Sequence, residues 1–359
     1  MKLQIRCDFI VIYKKKDAAG GSLSNTFSRQ TFLNKLGLNA PSDIQMKYVK
    51  DLLWKKGMRV SELVDSFQST GFQSIEVAKA AETIVKMKKA SAKIYLTFTA
   101  NMVTSGLRGF FAQLIRLGMA DILVTTAGSI EEDIMKATGE KFIIGRYTAD
   151  DVELHEKGTN RVGNLYITNE SYCNFESLML PMLEDLYKLK PRWSTSDFLR
   201  ELGLKLKDEN SILYQAAKHN VPVFCPGITD GAIGFHLFMF QQKHKDFVID
   251  VIEEFKNILF ASSNDDIKGI ICLGGGISKH FATLSCLLNG GLDYAVYMTT
   301  ARQESGSLSG ATTNEAKSWG KIKDDSDATT VIGDVSVSFP LAMIKALEIL
   351  EKDGIIKAV

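Results

Sequence analysis

The sequence predicts an α/β protein built on a doubly wound, mainly parallel sheet. Three observations carry this expectation. Six short runs rich in β-branched and aromatic residues are spaced along the chain from Lys93 onward. Most are followed by a stretch of helical periodicity, the pattern of βα units with parallel strands. Their ends run into Gly, Ser, Thr and Asp, which suits loops gathered at the carboxyl edge of a sheet, where open α/β folds bind ligands.

Taken in order, the chain starts with MKLQIRCDFIVIYKKK. Its apolar patch, Phe9 to Tyr13, is too short for a secretory core, and no small-residue cleavage site follows. Residues 17–30 read as a linker. Residues 1–45 are therefore expected to form an N-terminal extension, with Met46 an alternative start, and residues 46–359 a single domain. Ser61 is placed to cap a helix through SELVDSF. Residues 75–90 have helical periodicity and end in lysines, which suit a helix C-terminus.

KIYLTFT (93–99) is the first buried strand, followed by the helix GLRGFFAQLIRLG. DILVTT (121–126) is the second, followed by AGS and a helix start carrying Glu131, Glu132 and Asp133. Residues 138–166 read as a loop-rich insertion. VPVFCPG (221–227), IKGIICLGGG (267–276), DYAVYMTT (293–300) and TTVIGD (329–334) supply the remaining strands, and the helix VSFPLAMIKALEIL closes the pattern.

Composition narrows the function classes. The chain has 359 residues, with 43 Lys+Arg against 42 Asp+Glu and a formal charge of +1. That balance argues against a dominant nucleic-acid-binding surface. No apolar run approaches the roughly 18 residues of a membrane span. Cys7, Cys173, Cys225, Cys272 and Cys286 are scattered, with no CxxC pair. An odd, dispersed set argues against a disulfide framework or a structural zinc site and points to a reducing cytoplasm.

Four segments could carry chemistry. Gly274, Gly275 and Gly276 lie between a strand and a helix. They form either a tight turn or a phosphate cradle at helix amides, and the dinucleotide fingerprint GxGxxG is absent. TTAGSIEED (125–133) puts two glutamates in a first helical turn, either to complement the helix dipole or to bind a cation or a ribose hydroxyl. Asp230 is either a helix N-cap or a ligand acceptor. In the richest segment, 299–322, Glu315, Trp319 and Lys321 follow within seven residues. A tryptophan face and a carboxylate suit an organic cation, and a desolvated lysine beside them suits Schiff-base chemistry. The plain alternative is a surface lysine beside a packing tryptophan.

Eight motifs, in order, shift that balance: TGFQ (70–73), TANMVTSGLR (99–108), TTAGSIEED, CPGITDGAIG (225–234), GGGISKH (274–280), DYAVYMTTA (293–301), NEAKSWGKI (314–322) and GDVSVSFPL (333–341). Together they resemble the deoxyhypusine synthase family, and the SGA loop looks like that of archaeal and bacterial members. The resemblance implies a Rossmann-like NAD-binding arrangement. It also implies NAD-dependent transfer of the aminobutyl group of spermidine, through an imine on an enzyme lysine, to one lysine of the translation initiation factor 5A precursor. It further implies a cytoplasmic homotetramer with sites between paired subunits.

By the same resemblance Lys321 matches the imine-forming lysine and His280 a proton shuttle. Glu132, Tyr297, Glu315 and Trp319 match residues that hold the amine. Asn101, Thr104, Ser105, Thr126, Ala127, Gly128, Glu131, Asp230, Gly275, Thr300, Ala301, Asp334 and Val335 match positions that cradle NAD. No metal is implied.

Two positions depart from the pattern. Well-known eukaryotic members carry acidic residues where this chain has Leu308 and Phe235. His236, Glu304 and Glu132 are the candidates to compensate. The departures favour, as an alternative, transfer to a small amine as in a homospermidine synthase. A non-catalytic partner subunit is a third reading, and retention of Lys321 argues against it. A sirtuin-like deacylase is disfavoured by the SWGK motif and the missing zinc cysteines.

Overall fold

The computed structural model describes residues 47–357. The extension expected over 1–45 and the alternative start at Met46 lie outside the described residues. From Val49 onward the chain forms one compact unit. Its strands are β1 (Lys93–Phe98), β2 (Ile122–Val124), β3 (Ile143–Ile144), β4 (Thr159–Val162), β5 (Leu165–Thr168) and β6 (Arg192–Ser194). They continue with β7 (Val223–Phe224), β8 (Val248–Asp250), β9 (Lys268–Leu273), β10 (Leu292–Thr299) and β11 (Ile322–Ile332).

All six sequence-expected strands join one sheet, in the order β11-β10-β9-β1-β2-β7. Every neighbouring pair in it is parallel. Parallel strands need crossover connections, and the intervening helices cover both faces. Side chains alternate across the sheet as the strand period of two requires. Leu96, Phe98, Ile271, Leu273, Val296 and Met298 feed one core cluster. Tyr95, Ile270, Cys272, Ala295 and Tyr297 feed the other. The second face carries the candidate pocket described below.

The chain order explains where a ligand goes. From β1 the chain builds outward through β2 to β7, then returns to the opposite flank of β1 with β9, β10 and β11. The crevice between the carboxyl ends of β1 and β9 is therefore the topological switch point.

Several local expectations are corrected. The first described helix is Val60–Phe67, with Arg59 at its N-cap position, so Ser61 lies inside it and is buried. Arg59 N–H donates instead to Glu62 Oε2 at 2.8 Å. Residues 138–166 are structured: β3, β5 and β4 form a small antiparallel sheet with helix Asp151–Glu156. These strands are only two to four residues long, too short to show a period. β11 begins at Ile322, seven residues before the expected TTVIGD run. It is an edge strand, so its solvent-facing Asp324 and Asp325 break the apolar pattern.

Candidate active site

A cavity of about 410 Å³ opens on the Tyr297 face of the sheet. Three elements build it. Helix Ile277–Leu288 contributes Lys279 and His280, β10 contributes Tyr297, and the segment around helix Thr313–Ser318 contributes Glu315, Trp319 and Lys321. Thr312 caps that last helix, its hydroxyl accepting from Glu315 N–H at 3.2 Å. The helix ends at Trp319, and Lys321 N–H bonds the Ala316 carbonyl at 3.1 Å. The short helix followed by a turn thus places residues 315, 319 and 321 around one opening. Lys321 stands at the amino end of β11, so this cavity runs beneath the carboxyl rim and not along it.

Five of the six residues matched to catalysis and amine binding converge here: Lys321, His280, Tyr297, Glu315 and Trp319. Glu132 does not line this cavity. It is buried elsewhere and accepts a hydrogen bond from Thr104 Oγ1 at 2.6 Å.

Two lysines line the cavity, and their environments differ. Lys279 is spent on structure: its Nζ donates to the carbonyls of Leu308 and Ala311. Lys321 Nζ has no hydrogen-bond or ion-pair partner among the described residues, is buried, and lies 5.3 Å from the centre of the Trp319 ring. Burial lowers its pKa from the ordinary lysine value, and the Glu315 carboxylate opposes that shift. A partly neutral, uncommitted amine is what imine formation needs. His280 is also held below its ordinary pKa, by burial first and by the Lys321 charge second, so its imidazole is neutral and able to take a proton.

Tyr297 lies under the cavity with its hydroxyl buried and unpartnered among the described residues. Burial pushes its pKa well above the ordinary value, so it stays a neutral hydroxyl. A buried orphan hydroxyl in a cavity wall calls for a partner on the ligand. Leu284, Leu287 and Leu308 give the wall its apolar part, and Thr283, whose hydroxyl donates to the Lys279 carbonyl at 2.9 Å, completes it with Gly306, Ala311 and Ala316. Of the proposed compensators, none lines this cavity. Glu304 is exposed, and His236 is buried against Phe175 with ring centres 5.4 Å apart. Phe235 is exposed and also lies outside it.

A second cavity, about 330 Å³, lies at the switch point. Six of the thirteen matched cofactor residues line it: Asn101, Gly275, Thr300, Ala301, Asp334 and Val335. Gly274 and Gly275 have φ of 65° and 83°, and a Cβ on Gly275 would sit 2.7 Å from Ser278 Oγ. The backbone can therefore approach a ligand only because these are glycines. Helix Ile277–Leu288 starts beside them with no side-chain cap, and Ser278 Oγ is buried without a partner. Uncapped helix amides, a glycine cradle and an orphan hydroxyl fit the phosphates of a nucleotide. Sequence reasoning missed Thr99, Thr299 and Ser309 in this cavity, although Thr99 and Thr299 are signalled by their place at strand ends.

The other seven matched cofactor residues are not in that lining. Gly128 packs against Ala100, where an added Cβ would meet the Ala100 Cβ at 2.8 Å. Thr126 precedes helix Ala127–Ala137 in extended conformation, so Glu131 and Glu132 fall in its second turn, not its first. A first-turn role complementing the helix dipole is thereby corrected. Thr104 and Ser105 belong to the π-helical turn Val103–Leu107, which is kinked at Gly106 with φ of 103°. Asp230 is exposed, and the N-cap position of helix Ala232–Lys243 is Gly231.

The three acidic residues each hold a different set of partners. Glu131 Oε2 accepts Ile233 N–H at 3.1 Å, so it fills the capping role that was one of the two readings of Asp230. Glu132 holds Thr104. Asp133 accepts from Ser211 Oγ, Ile212 N–H and Leu213 N–H and pairs with buried Arg108.

Burial pushes the Glu132 carboxyl up to about 7, against the Thr104 bond and Lys136, which pull it down. Its folded pKa exceeds the unfolded one, so the folded state binds the extra proton. Its contribution to stability is present in acid and is lost as pH rises toward about 7. Glu132→Gln is expected to unfold a few degrees higher than the parent protein at about pH 8 and at the same temperature near pH 4. Thermal melts at both values check this.

The chain matches the family model for deoxyhypusine synthase over residues 62–346. The chain belongs to the deoxyhypusine synthase family. It is 39% identical over 291 residues to the probable deoxyhypusine synthase of Halobacterium salinarum, covering 80% of this chain and 88% of that one. It is 37% identical over 302 residues to the probable deoxyhypusine synthase of Schizosaccharomyces pombe, covering 79% and 86%. Among solved structures it is similar to a deoxyhypusine synthase assignment from Entamoeba histolytica. That match has a TM-score of 0.61 and 27% identity, over 84% of this chain and 97% of that one. Among the described residues no helix is long and apolar enough to cross a membrane.

Proposed function

We propose that this deoxyhypusine synthase family member transfers the aminobutyl group of spermidine, through an imine on Lys321, to a lysine of the translation initiation factor 5A precursor. The observation that carries the reading is the contrast between the cavity's two lysines. Burial lowers the pKa of both, but Lys279 is committed to carbonyls while Lys321 presents an unpartnered amine beside Trp319 and Glu315.

The chemistry follows from the groups present. Bound NAD would supply the hydride acceptor and donor, at the switch-point cavity lined by Gly275, Thr300, Ala301 and Asp334. Glu315 and the Trp319 face hold the substrate's cationic end by ion pairing and cation–π attraction. Lys321 attacks the carbon of the oxidised substrate's imine. A new C=N bond forms to Nζ, and the old C–N bond breaks to release diaminopropane. His280 accepts the proton that Lys321 Nζ sheds and returns one to the leaving amine. The acceptor lysine then displaces Nζ by the same exchange.

The Tyr297 hydroxyl oxygen accepts from an N–H of the bound amine. The working assembly is a cytoplasmic homotetramer. Sites shared between paired subunits account for Glu132 and for the cofactor residues outside this chain's own cavity.

The transfer is tested by incubating the protein with NAD and labelled spermidine, with the factor 5A precursor or with putrescine. Label on the factor supports the proposal. The apolar wall formed by Leu284, Leu287 and Leu308, with Glu315 as its carboxylate, favours one alternative, transfer to a small amine. Label on putrescine and never on the factor would establish that alternative.

Glu315 also sets the pH dependence. Its carboxylate favours the ammonium form of Lys321, so removing it lowers that pKa further. Glu315→Gln is expected to move the pH profile of borohydride-trapped aldehyde on Lys321 toward acid. A shift toward base would contradict the assignment.

A further inference from the structure

Residues 302–311, between β10 and helix Thr313–Ser318, separate the two cavities. Leu308 and Ala311 line the Lys321 cavity, while Ser309 lines the switch-point cavity. The segment has little to hold it. Its backbone bonds are local: Gly306 N–H to the Gln303 carbonyl at 3.0 Å, Gly310 N–H to Ser307 at 3.0 Å, and Ala311 N–H to Leu308 at 3.2 Å. It doubles back so tightly that a Cβ on Gly310 would lie 2.2 Å from the Arg302 carbonyl oxygen.

Among the described residues, the hydrogen bonds that reach this segment from another element come from Lys279. Its Nζ donates to the Leu308 carbonyl at 3.1 Å and to Ala311 at 2.7 Å, and it sits 4.0 Å from the centre of the Tyr297 ring. The side chain is 3% exposed. Lys279 precedes His280 on the helix whose first turn borders the glycine cradle. One side chain thus ties the dividing wall to the helix that serves both cavities.

We propose that Lys279 is a positioning residue whose Nζ pins the 302–311 wall and so sets how the cofactor in one cavity meets the amine in the other. This rests on the proposed function. Removing the Nζ donors leaves two carbonyls without their partner in a buried place, and the wall then loses its fixed distance from helix Ile277–Leu288. Misplacing reacting groups by about 1 Å costs on the order of 100-fold in rate. An arginine keeps the charge and offers donors in a different geometry, so it restores part of the effect.

The test uses the full chain as Lys279→Met and Lys279→Arg. Hydrogen exchange is read at the amides of residues 302–311, with β1 and β9 as the reference for intact folding. NADH formation from NAD and spermidine is read separately. Lys279→Met is expected to speed exchange of the wall amides about 10-fold, with the reference strands unchanged. It is also expected to lower kcat for NADH formation about 100-fold, with KM moving far less. Lys279→Arg is expected to recover part of both. Parental exchange in the wall of Lys279→Met, or a rate that arginine does not recover at all, overturns the proposal. A parent protein that forms no NADH from spermidine overturns the proposed function, and the exchange measurement still decides whether Lys279 holds the wall.

Discussion

Lys321→Ala is expected to lose aminobutyl transfer by about 10⁴-fold or more, because a covalent route without its nucleophile has no partial substitute. Lys279 cannot take over, since its Nζ is held by the carbonyls of Leu308 and Ala311 and lies over Tyr297. The fold should be untouched, because the Lys321 amine makes no bond that the structure needs. Equal thermal unfolding of the variant and the parent, with loss of all borohydride-trapped adduct, is the expected pair of results. An adduct persisting in Lys321→Ala would place the imine elsewhere.

The largest expected effect on stability comes from Asp133→Ala. Asp133 is 1% exposed and pairs with Arg108, itself only 7% exposed. It also accepts from Ser211 Oγ at 2.9 Å, Ile212 N–H at 3.1 Å and Leu213 N–H at 2.8 Å. Alanine removes a buried charge while its partner and three donors remain. Breaking one side of such a pair costs about 3–5 kcal/mol. Arg108 keeps Asp208 at 2.7 Å, which favours the lower end of that range. Denaturant midpoints at fixed protein concentration measure the loss, and Asp133→Asn, which keeps an acceptor, should lose less. A change within about 0.5 kcal/mol, typical of surface sites, would contradict the capping role.

These two residues mark the limits of what sequence could reveal. The Lys321 site was legible because Glu315, Trp319 and Lys321 fall within seven residues, on one short helix and its turn. GGGISKH joined it because a strand–turn–helix unit brings His280 to the same cavity as Tyr297. The sheet was legible strand by strand, since its buried members read as apolar runs.

Asp133 was read as part of a helix start, because its partners lie about 80 residues along the chain and only the fold brings them together. Lys279 went unnoticed for a related reason. It bonds two backbone carbonyls some 30 residues away, and a carbonyl has no signature in sequence. Glu131, not Asp230, caps helix Ala232–Lys243, so the capping carboxylate comes from another helix altogether. The early start of β11 was hidden by its solvent-facing aspartates, which an edge strand tolerates and a central strand would not.

The central claim is that the cavity's free lysine, and not its tethered one, carries the aminobutyl group. Incubation of the protein with NAD and labelled spermidine, borohydride reduction, and peptide mapping by mass spectrometry test it most directly. Label is expected on the peptide containing Lys321 and none on the peptide containing Lys279. Label on Lys279, or reduction with no enzyme adduct while transfer proceeds, would contradict it.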